Sequence, residues 1–360
     1  EGGILKIQTL QDTSLYHSQS SGSGLSVSIC AWLCYGESSA SVYAHNMRGE
    51  GDYASATEQS GIRAGDGGFN VNVRGNTDLV GGVISSTQTA LDRDRNSFST
   101  GSLTMSDVQN HDVFQGSGYS VSLSTSTSGN SAGVGSSDIN QNSTTRSGIT
   151  GIAGNTEVRT GVDSTNGLQM TDRGEALRDV NAQVLTTSQF GSQAARAVGD
   201  YATRQHEALM RQAAATTNPE ERAALMDEAA KWDEGGTYRV AVHSVIGGLT
   251  GGAGGAAGAL VSSGSVPYVA ATINATEMPD AVRAGLIAAV STALGATVGG
   301  GAPGAAAAFN EVINNCLANT CLSINWDKNA PGYHAYGPIK SPSLCNLSED
   351  GCMEAVKRQL

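Results

Sequence analysis

Residues 60–84 read SGIRAGDGGFNVNVRGNTDLVGGVI, and this stretch gives the clearest structural pattern of the chain. Apolar and polar residues alternate from Phe69 to Val73, which is typical of a half-buried strand. The glycines and polar residues at Gly65–Gly68 and Gly75–Asp78 are typical of turns. Several short strands in succession predict a right-handed parallel β-solenoid, in which each coil buries its apolar side on the next. An antiparallel β-sandwich is the alternative.

The same alternation recurs at Gly24–Ile29 and at Tyr119–Leu123, and a weaker echo lies in residues 147–158. Glycine accounts for 47 of the 360 residues, which suits the tight corners of a repetitive β-architecture. We therefore expect residues 1–170 to form the solenoid segment.

Residues 171–315 have a helical pattern. Asp172 precedes an apolar helical stretch, and Asn218 is followed by Pro219 and two glutamates, which is a typical helix start. The fold class predicted for the chain is thus a β + α multidomain protein, with the β-solenoid followed by an α-helical domain.

Residues 240–310 are nearly uncharged, with only Glu277, Asp280 and Arg283 as exceptions. Small residues spaced four apart, as in Gly248/Gly252 and Gly254/Gly258, allow helices to approach closely. Two interpretations stay open: a bundle of buried helices in a soluble domain, or a module that inserts into a membrane. His243 stands alone in this block, and we expect it to be a core residue whose hydrogen-bonding groups are paired.

Six cysteines fall into two groups, which indicates disulfides and an oxidising compartment. They are Cys30, Cys34, Cys316, Cys321, Cys345 and Cys352. Zinc is the competing interpretation for the last four, but their spacing lacks the tight C-x2-C pairs of structural zinc sites. Local pairing, Cys316 with Cys321 and Cys345 with Cys352, is the predicted connectivity. We expect no metal and no cofactor.

The net charge of −12 argues against nucleic-acid binding, which requires a basic patch. The six histidines are isolated, and no catalytic motif stands out. The composition therefore predicts a chain that is not an enzyme and has no nucleic-acid partner.

Glu311, Val312, Ile313, Asn314 and Asn315 form a stretch with two interpretations. Asparagine is a common helix terminator, so the stretch can be a simple helix end. It can also be a domain junction, because an asparagine side-chain amide can attack its own carbonyl carbon and cleave the chain.

The block Glu58–Leu79, with Asn96–Leu103 and Thr144–Ile149, resembles the second haemagglutinin repeat region of filamentous-haemagglutinin-like exoproteins. More closely, it resembles contact-dependent growth inhibition effectors, the CdiA family. Val180–Asp200 and Val240–Asn315 are similar to the pretoxin part of those proteins. In that family the pretoxin part ends at Val-Glu-Asn-Asn, and the matching stretch here has isoleucine in place of the glutamate.

The resemblance implies a non-catalytic delivery portion that helps to translocate a C-terminal toxin, with the toxin domain absent. Residues 316–360 would be a cysteine-containing linker or the start of the toxin region. The alternatives are a structural or adhesive filament segment that binds a cell surface, and a β-solenoid hydrolase or lyase with a clustered acidic cleft.

The resemblance also implies two-partner secretion, display on the outer-membrane surface of a Gram-negative bacterium, and entry into the target-cell periplasm. The implied partners are an outer-membrane secretion partner and outer- and inner-membrane components of the target cell. A cognate immunity protein would bind the absent toxin.

Overall fold

The computed structural model describes residues 3–28, 39–124, 130–160, 165–276, 278, 280–319 and 322. Strands occupy the first part of the chain and long helices the second. The strands are β1 Leu5–Gln8, β2 Asp12–Ser28, β3 Ser39–Ser55, β4 Gly61–Arg63, β5 Asn70–Val80, β6 Val83–Ser85, β7 Ser97–Ser106, β8 Val108–Ser124, β9 Ser131–Thr145, β10 Gly148–Ile149 and β11 Ala153–Gly154. The helices are α1 Gln88–Asp92, α2 Arg173–Ala215, α3 Pro219–Ala230, α4 Thr237–Asn274, α5 Asp280–Val298, α6 Ala302–Glu311 and α7 Leu317–Asn319, with a π-helix at Val312–Cys316 between the last two.

Two small sheets consist mainly of parallel strands. One has the order β1-β5-β7, and the other has the order β11-β10-β6-β4, with only β11 antiparallel to its neighbour. Phe69, Leu79, Ile84 and Ile149 form the buried apolar cluster of this region. These sheets are short, so the region buries only a small core.

The third sheet is antiparallel, has the order β2-β3-β8-β9, and consists of strands of 15 to 17 residues. The predicted β-solenoid is therefore wrong, because the described strands form three small sheets and no continuous parallel stack. Gly24–Ser28 and Tyr119–Leu123, which we expected to be solenoid strands, lie in β2 and β8 of the antiparallel sheet. Alternation with period two occurs in both kinds of sheet, so it does not determine the direction of pairing.

Helix α2 packs on a face of the antiparallel sheet that is rich in glycine. A Cβ atom on Gly133 would lie 2.0 Å from the Val184 carbonyl oxygen, and one on Gly135 would lie 2.3 Å from that of Val180. Because these positions lack side chains, the helix backbone approaches the sheet directly. Val180 and Val184 are buried there.

Helix α4 is interrupted at Gly251 and Gly252, whose backbone angles are not helical; Gly252 has φ +60°. The two segments fold back on each other. Their backbones lie so close that a Cβ atom on Gly247 would be 2.3 Å from the Gly255 carbonyl oxygen. Among the described helices, α4 is the one whose length and apolar composition would allow it to cross a membrane. The break at Gly251 and Gly252 divides it into two shorter segments.

Helices α4, α5 and α6 share one apolar core with the edge of the antiparallel sheet. Its buried members include Val266, Ile287, Phe309 and Val312, and Ala132 of β9 belongs to the same cluster. The helices are thus joined to the sheet by apolar packing, and this packing positions the polar cluster described next.

Candidate functional site

The predicted junction motif Glu311–Asn315 lies inside the molecule. Glu311 is the last residue of α6, and the following π-helix continues the chain into α7. Each of the five motif side chains is at most 7% exposed. A π-helix is rare and often marks a functional position. The stretch is therefore not a simple helix end, and cleavage at it stays a prediction.

A buried polar cluster surrounds this motif. Asn315 Nδ2 donates to Glu311 Oε1 at 3.1 Å, and Ser262 Oγ donates to Glu311 Oε2 at 3.0 Å. Arg239 donates to Asn315 Oδ1 at 2.6 Å and forms an ion pair with Glu234 at 2.5 Å. The charged members, Glu234, Arg239 and Glu311, are each no more than 3% exposed.

The electrostatics of the cluster favour a neutral Glu311. The pKa of Glu311 is raised to about 7, mainly by burial and then by the nearby Glu234 carboxylate, against the hydrogen bonds from Asn315 and Ser262 and the charge of Arg239. Burial, followed by the charge of Arg239, lowers the pKa of His243 to about 3. Near neutral pH the imidazole is therefore uncharged and the Glu311 carboxyl is close to half-protonated.

His243 and Glu311 line a small cavity of about 10 Å³ together with Asn310, Thr250 and apolar neighbours. That volume is about enough for a single water. Within the described part of the chain, His243 Nε2 has no hydrogen-bond partner. His243 is buried as expected, but its hydrogen-bonding capacity is not filled by the described protein atoms.

The residue before the motif connects it to the sheet. Asn310 accepts a hydrogen bond from the Ala132 N–H at 2.8 Å and donates to the Ala132 carbonyl at 2.6 Å. Thr187 makes the same pair of bonds with Val134. Side chains of α2 and α6 thus pair backbone groups along the outer edge of β9.

We expect Asn310→Ala to lower the free energy of unfolding by about 2 kcal/mol or more, because it leaves a buried backbone N–H and C=O of Ala132 unpaired. The matched control is Asn142→Ala in β9, the strand that contains Ala132. The Asn142 side chain makes an exposed hydrogen bond to Asn140. The control substitution should cost less than about 0.5 kcal/mol. Urea denaturation measures both, and equal costs would contradict the assignment.

An open cleft of about 940 Å³ lies near the same edge of the sheet. Asn46, Arg48 and Tyr119 line it from the sheet, Asp179 and Gln183 from α2. The break in α4 and the start of α6 complete its lining. The residues described contain no group of three or more His, Cys, Asp or Glu side chains that could bind a metal ion.

Of the six cysteines, only Cys316 lies among the described residues. It is buried and disulfide-bonded. Cys30, Cys34, Cys321, Cys345 and Cys352 lie outside the described residues, so the predicted connectivity stays a prediction.

The sequence did not indicate Glu234, Arg239 or Ser262 as neighbours of the motif. The only signal was charge: Glu234 and Arg239 lie just before the nearly uncharged stretch of residues 240–310. A charged residue at the border of an apolar segment is usually solvated, so the pattern alone did not place these two inside.

Comparison with known proteins places the chain among relatives named CdiA. It is 32% identical over 259 residues to "tRNA nuclease CdiA-2" of Burkholderia pseudomallei strain 1026b, covering 61% of this chain and 8% of that protein. A second Burkholderia pseudomallei protein, "tRNA nuclease CdiA", is 33% identical over 261 residues, 61% of this chain and 20% of the relative. "tRNA nuclease CdiA" of Escherichia coli strain NC101 is 38% identical over 125 residues, 34% of this chain and 4% of that protein.

The chain therefore spans a fifth or less of the length of these relatives. No family model and no solved structure matches it.

The names of these relatives bear on two expectations. The prediction that the chain is not an enzyme is wrong, because relatives named tRNA nucleases point to an enzymatic toxin. The expectation of no nucleic-acid partner has no support from these relatives, since their names include tRNA.

The relationship agrees with the resemblance drawn from the repeat block and the pretoxin-like region. Over the matched residues the chain is similar to part of proteins named CdiA.

Proposed function

We propose that this chain is part of a toxin-bearing exoprotein, and that its described sheets and helices help to deliver the toxin into a neighbouring cell. The observation that carries this proposal is the 32–33% identity to Burkholderia tRNA nucleases named CdiA over 61% of the chain. The whole protein is proposed to cleave tRNA in the target cell. An outer-membrane secretion partner, display on the cell surface and a cognate immunity protein belong to the same proposal.

The helical part supports a role in entry. Helices α4 and α5 are apolar, and several of their large side chains remain exposed, including Val245 at 62%, Leu249 at 68% and Val298 at 53%. Exposed apolar residues on nearly uncharged helices suit contact with an apolar environment such as a membrane. The break at Gly251 and Gly252 gives α4 a point at which its two segments can change their relative orientation.

The test is a competition between cells that display the full-length protein and susceptible target cells. Growth of the targets and integrity of their tRNA are measured, with immunity-expressing targets as the reference. We expect Val245→Asp to lower delivery about tenfold or more, because a charge opposes entry of that surface into an apolar phase. Val245 is exposed, so the change should leave folding and display intact.

The matched control is Leu15→Asp in β2, where the side chain is 85% exposed and lies outside the helical part. Its delivery should equal that of the unchanged protein. If Val245→Asp delivers the toxin as well as Leu15→Asp does, that result would count against entry through the helices. Binding to target cells without growth inhibition or tRNA loss would favour the adhesive alternative.

A further inference from the structure

The buried cluster at the junction contains one more carboxylate than its arginine can neutralise. Glu234 and Glu311 both face Arg239, and all three are almost completely excluded from water. With Glu311 ionised, these three side chains have a net charge of −1, and with Glu311 protonated the net charge is zero. Burying the Glu311 charge beside the Glu234 carboxylate is costly, so the protonation state of Glu311 affects the stability of the packing around it.

In the described part of the chain, His243, Arg196 and Asp233 are charged or titratable groups near this cluster. His243 shares the small cavity with Glu311 and is neutral at physiological pH. Arg196 of α2 donates at 3.1 Å to Oδ1 of Asn314, the motif residue before Asn315. Asp233 precedes Glu234 and adds no positive charge.

Glu311 and Asn315 also connect the two segments of α4. Asn315 accepts from Arg239 in the first segment, and Glu311 accepts from Ser262 in the second. Asn315 and Glu311 are themselves hydrogen-bonded four residues apart. Packing of the motif therefore depends on both segments of α4 at once.

We propose that Glu311 is a proton-sensitive latch: its protonated form holds the segment Val312–Cys316 closed against α4, and loss of the proton loosens this closure. The latch acts on the junction whatever the activity of the toxin, so it does not rest on the proposed function. It gives the buried motif a route to exposure that needs neither unfolding of the sheet nor a bound ligand.

The direction of the pH dependence follows from the two states of Glu311. In an opened segment its pKa returns towards the ordinary 4.5, whereas in the closed state it is about 7. Because the closed state binds the proton more tightly, closure is most stable below pH 4.5 and weakens as pH rises to about 7. The open population should rise by up to about tenfold per pH unit in this window, about 300-fold in total, and level off above it.

The experiment is hydrogen exchange of the full chain between pH 5 and 8.5, corrected for intrinsic exchange. Residues 306–316 report on the latch, and residues 180–188 of α2 serve as the internal reference. We expect protection of 306–316 to fall with rising pH in the unchanged protein and to be independent of pH in Glu311→Gln. Glu228→Gln, an exposed member of a surface ion pair, is the matched control and should keep the unchanged profile.

A flat profile in the unchanged protein would overturn the latch, and so would an identical fall in Glu311→Gln. If Glu311→Gln does not fold, Glu234→Gln decides the question. Removing that neighbouring carboxylate should lower the pKa of Glu311, so the fall in protection should end at a lower pH. An unshifted profile in Glu234→Gln would reject the proposal.

Discussion

Gly258→Ala should destabilise the protein by about 2–3 kcal/mol, although alanine is the better helix former by about 1 kcal/mol. A Cβ atom at this position of α4 would lie 2.3 Å from the Gly304 carbonyl oxygen and 2.5 Å from the Gly304 Cα. Both are backbone atoms of α6, so no side-chain rotation relieves the overlap. The two helices would have to separate, and α6 leads directly into the junction motif.

The matched control is Gly285→Ala in α5, where an added Cβ atom meets nothing within 4 Å. This change should stabilise the protein by about 0.5–1 kcal/mol, because alanine restricts the unfolded chain and favours the helix. Denaturation in urea at constant pH measures both variants. Equal effects of the two substitutions would contradict the close contact between α4 and α6.

The small residues of residues 240–310 illustrate what the sequence can predict. Gly254 and Gly258 were expected to permit close helix approach; Gly254 lies against the backbone of Gly299, just after α5, and Gly258 lies against that of Gly304 in α6. Gly252 was expected to do the same, but it has φ +60° and lies at the break in α4. A glycine that permits close packing and one that turns the chain look alike in sequence, because both roles depend on the lack of a side chain.

Local signals predicted the starts of α2 and α3. Asp172 accepts a hydrogen bond from the Glu175 N–H, and Asn218 accepts from those of Glu220 and Glu221. These caps depend on residues two or three positions apart. The direction of strand pairing depends instead on distant partners, such as Tyr53 and Asp112 of β3 and β8. The solenoid prediction failed at this step, since alternation gives the face of a strand and not its neighbour.

The junction motif could be found from its letters, but not its surroundings. Arg239 and Asn315 are 76 positions apart, and Ser262 and Glu311 are 49 apart. No sequence periodicity predicts contacts between residues so far apart. The fold of α4 at Gly251 and Gly252 brings them together. The motif was a sequence observation, whereas its burial and its charge imbalance are properties of the tertiary structure.

The second large effect is expected at the start of α2, where Arg173 and Asp112 form a buried ion pair. Their side chains are 6% and 0% exposed. Asp112 also accepts hydrogen bonds from the Thr171 N–H at 2.9 Å and the Thr171 hydroxyl at 2.6 Å. Burial raises the pKa of Asp112, but the bonds from Thr171 and Arg173 outweigh it and keep the pKa below its ordinary value. The guanidinium lies 5.5 Å from the centre of the Phe114 ring as well.

Arg173→Met should therefore lower the free energy of unfolding by about 3–5 kcal/mol, because it leaves the Asp112 carboxylate buried without its counter-ion. Arg211→Met is the matched control, since Arg211 is 72% exposed and pairs with Glu207 on the surface of the same helix. It should cost less than about 1 kcal/mol. Denaturation of both variants at pH 7 gives the comparison.

The double variant Asp112→Asn with Arg173→Met separates the two possible causes of that loss. If the cost comes from an unpaired carboxylate, removing the charge should recover a substantial part of it. If the cost comes from lost packing of the arginine stem on Phe114, the double variant should be no more stable than Arg173→Met alone.

In the unchanged protein the pair stabilises the fold above the ordinary pKa of Asp112, 3.8, and this contribution is lost as pH falls through the lowered value. The acid-induced loss should be smaller in the double variant, because it has no carboxyl at position 112 to protonate.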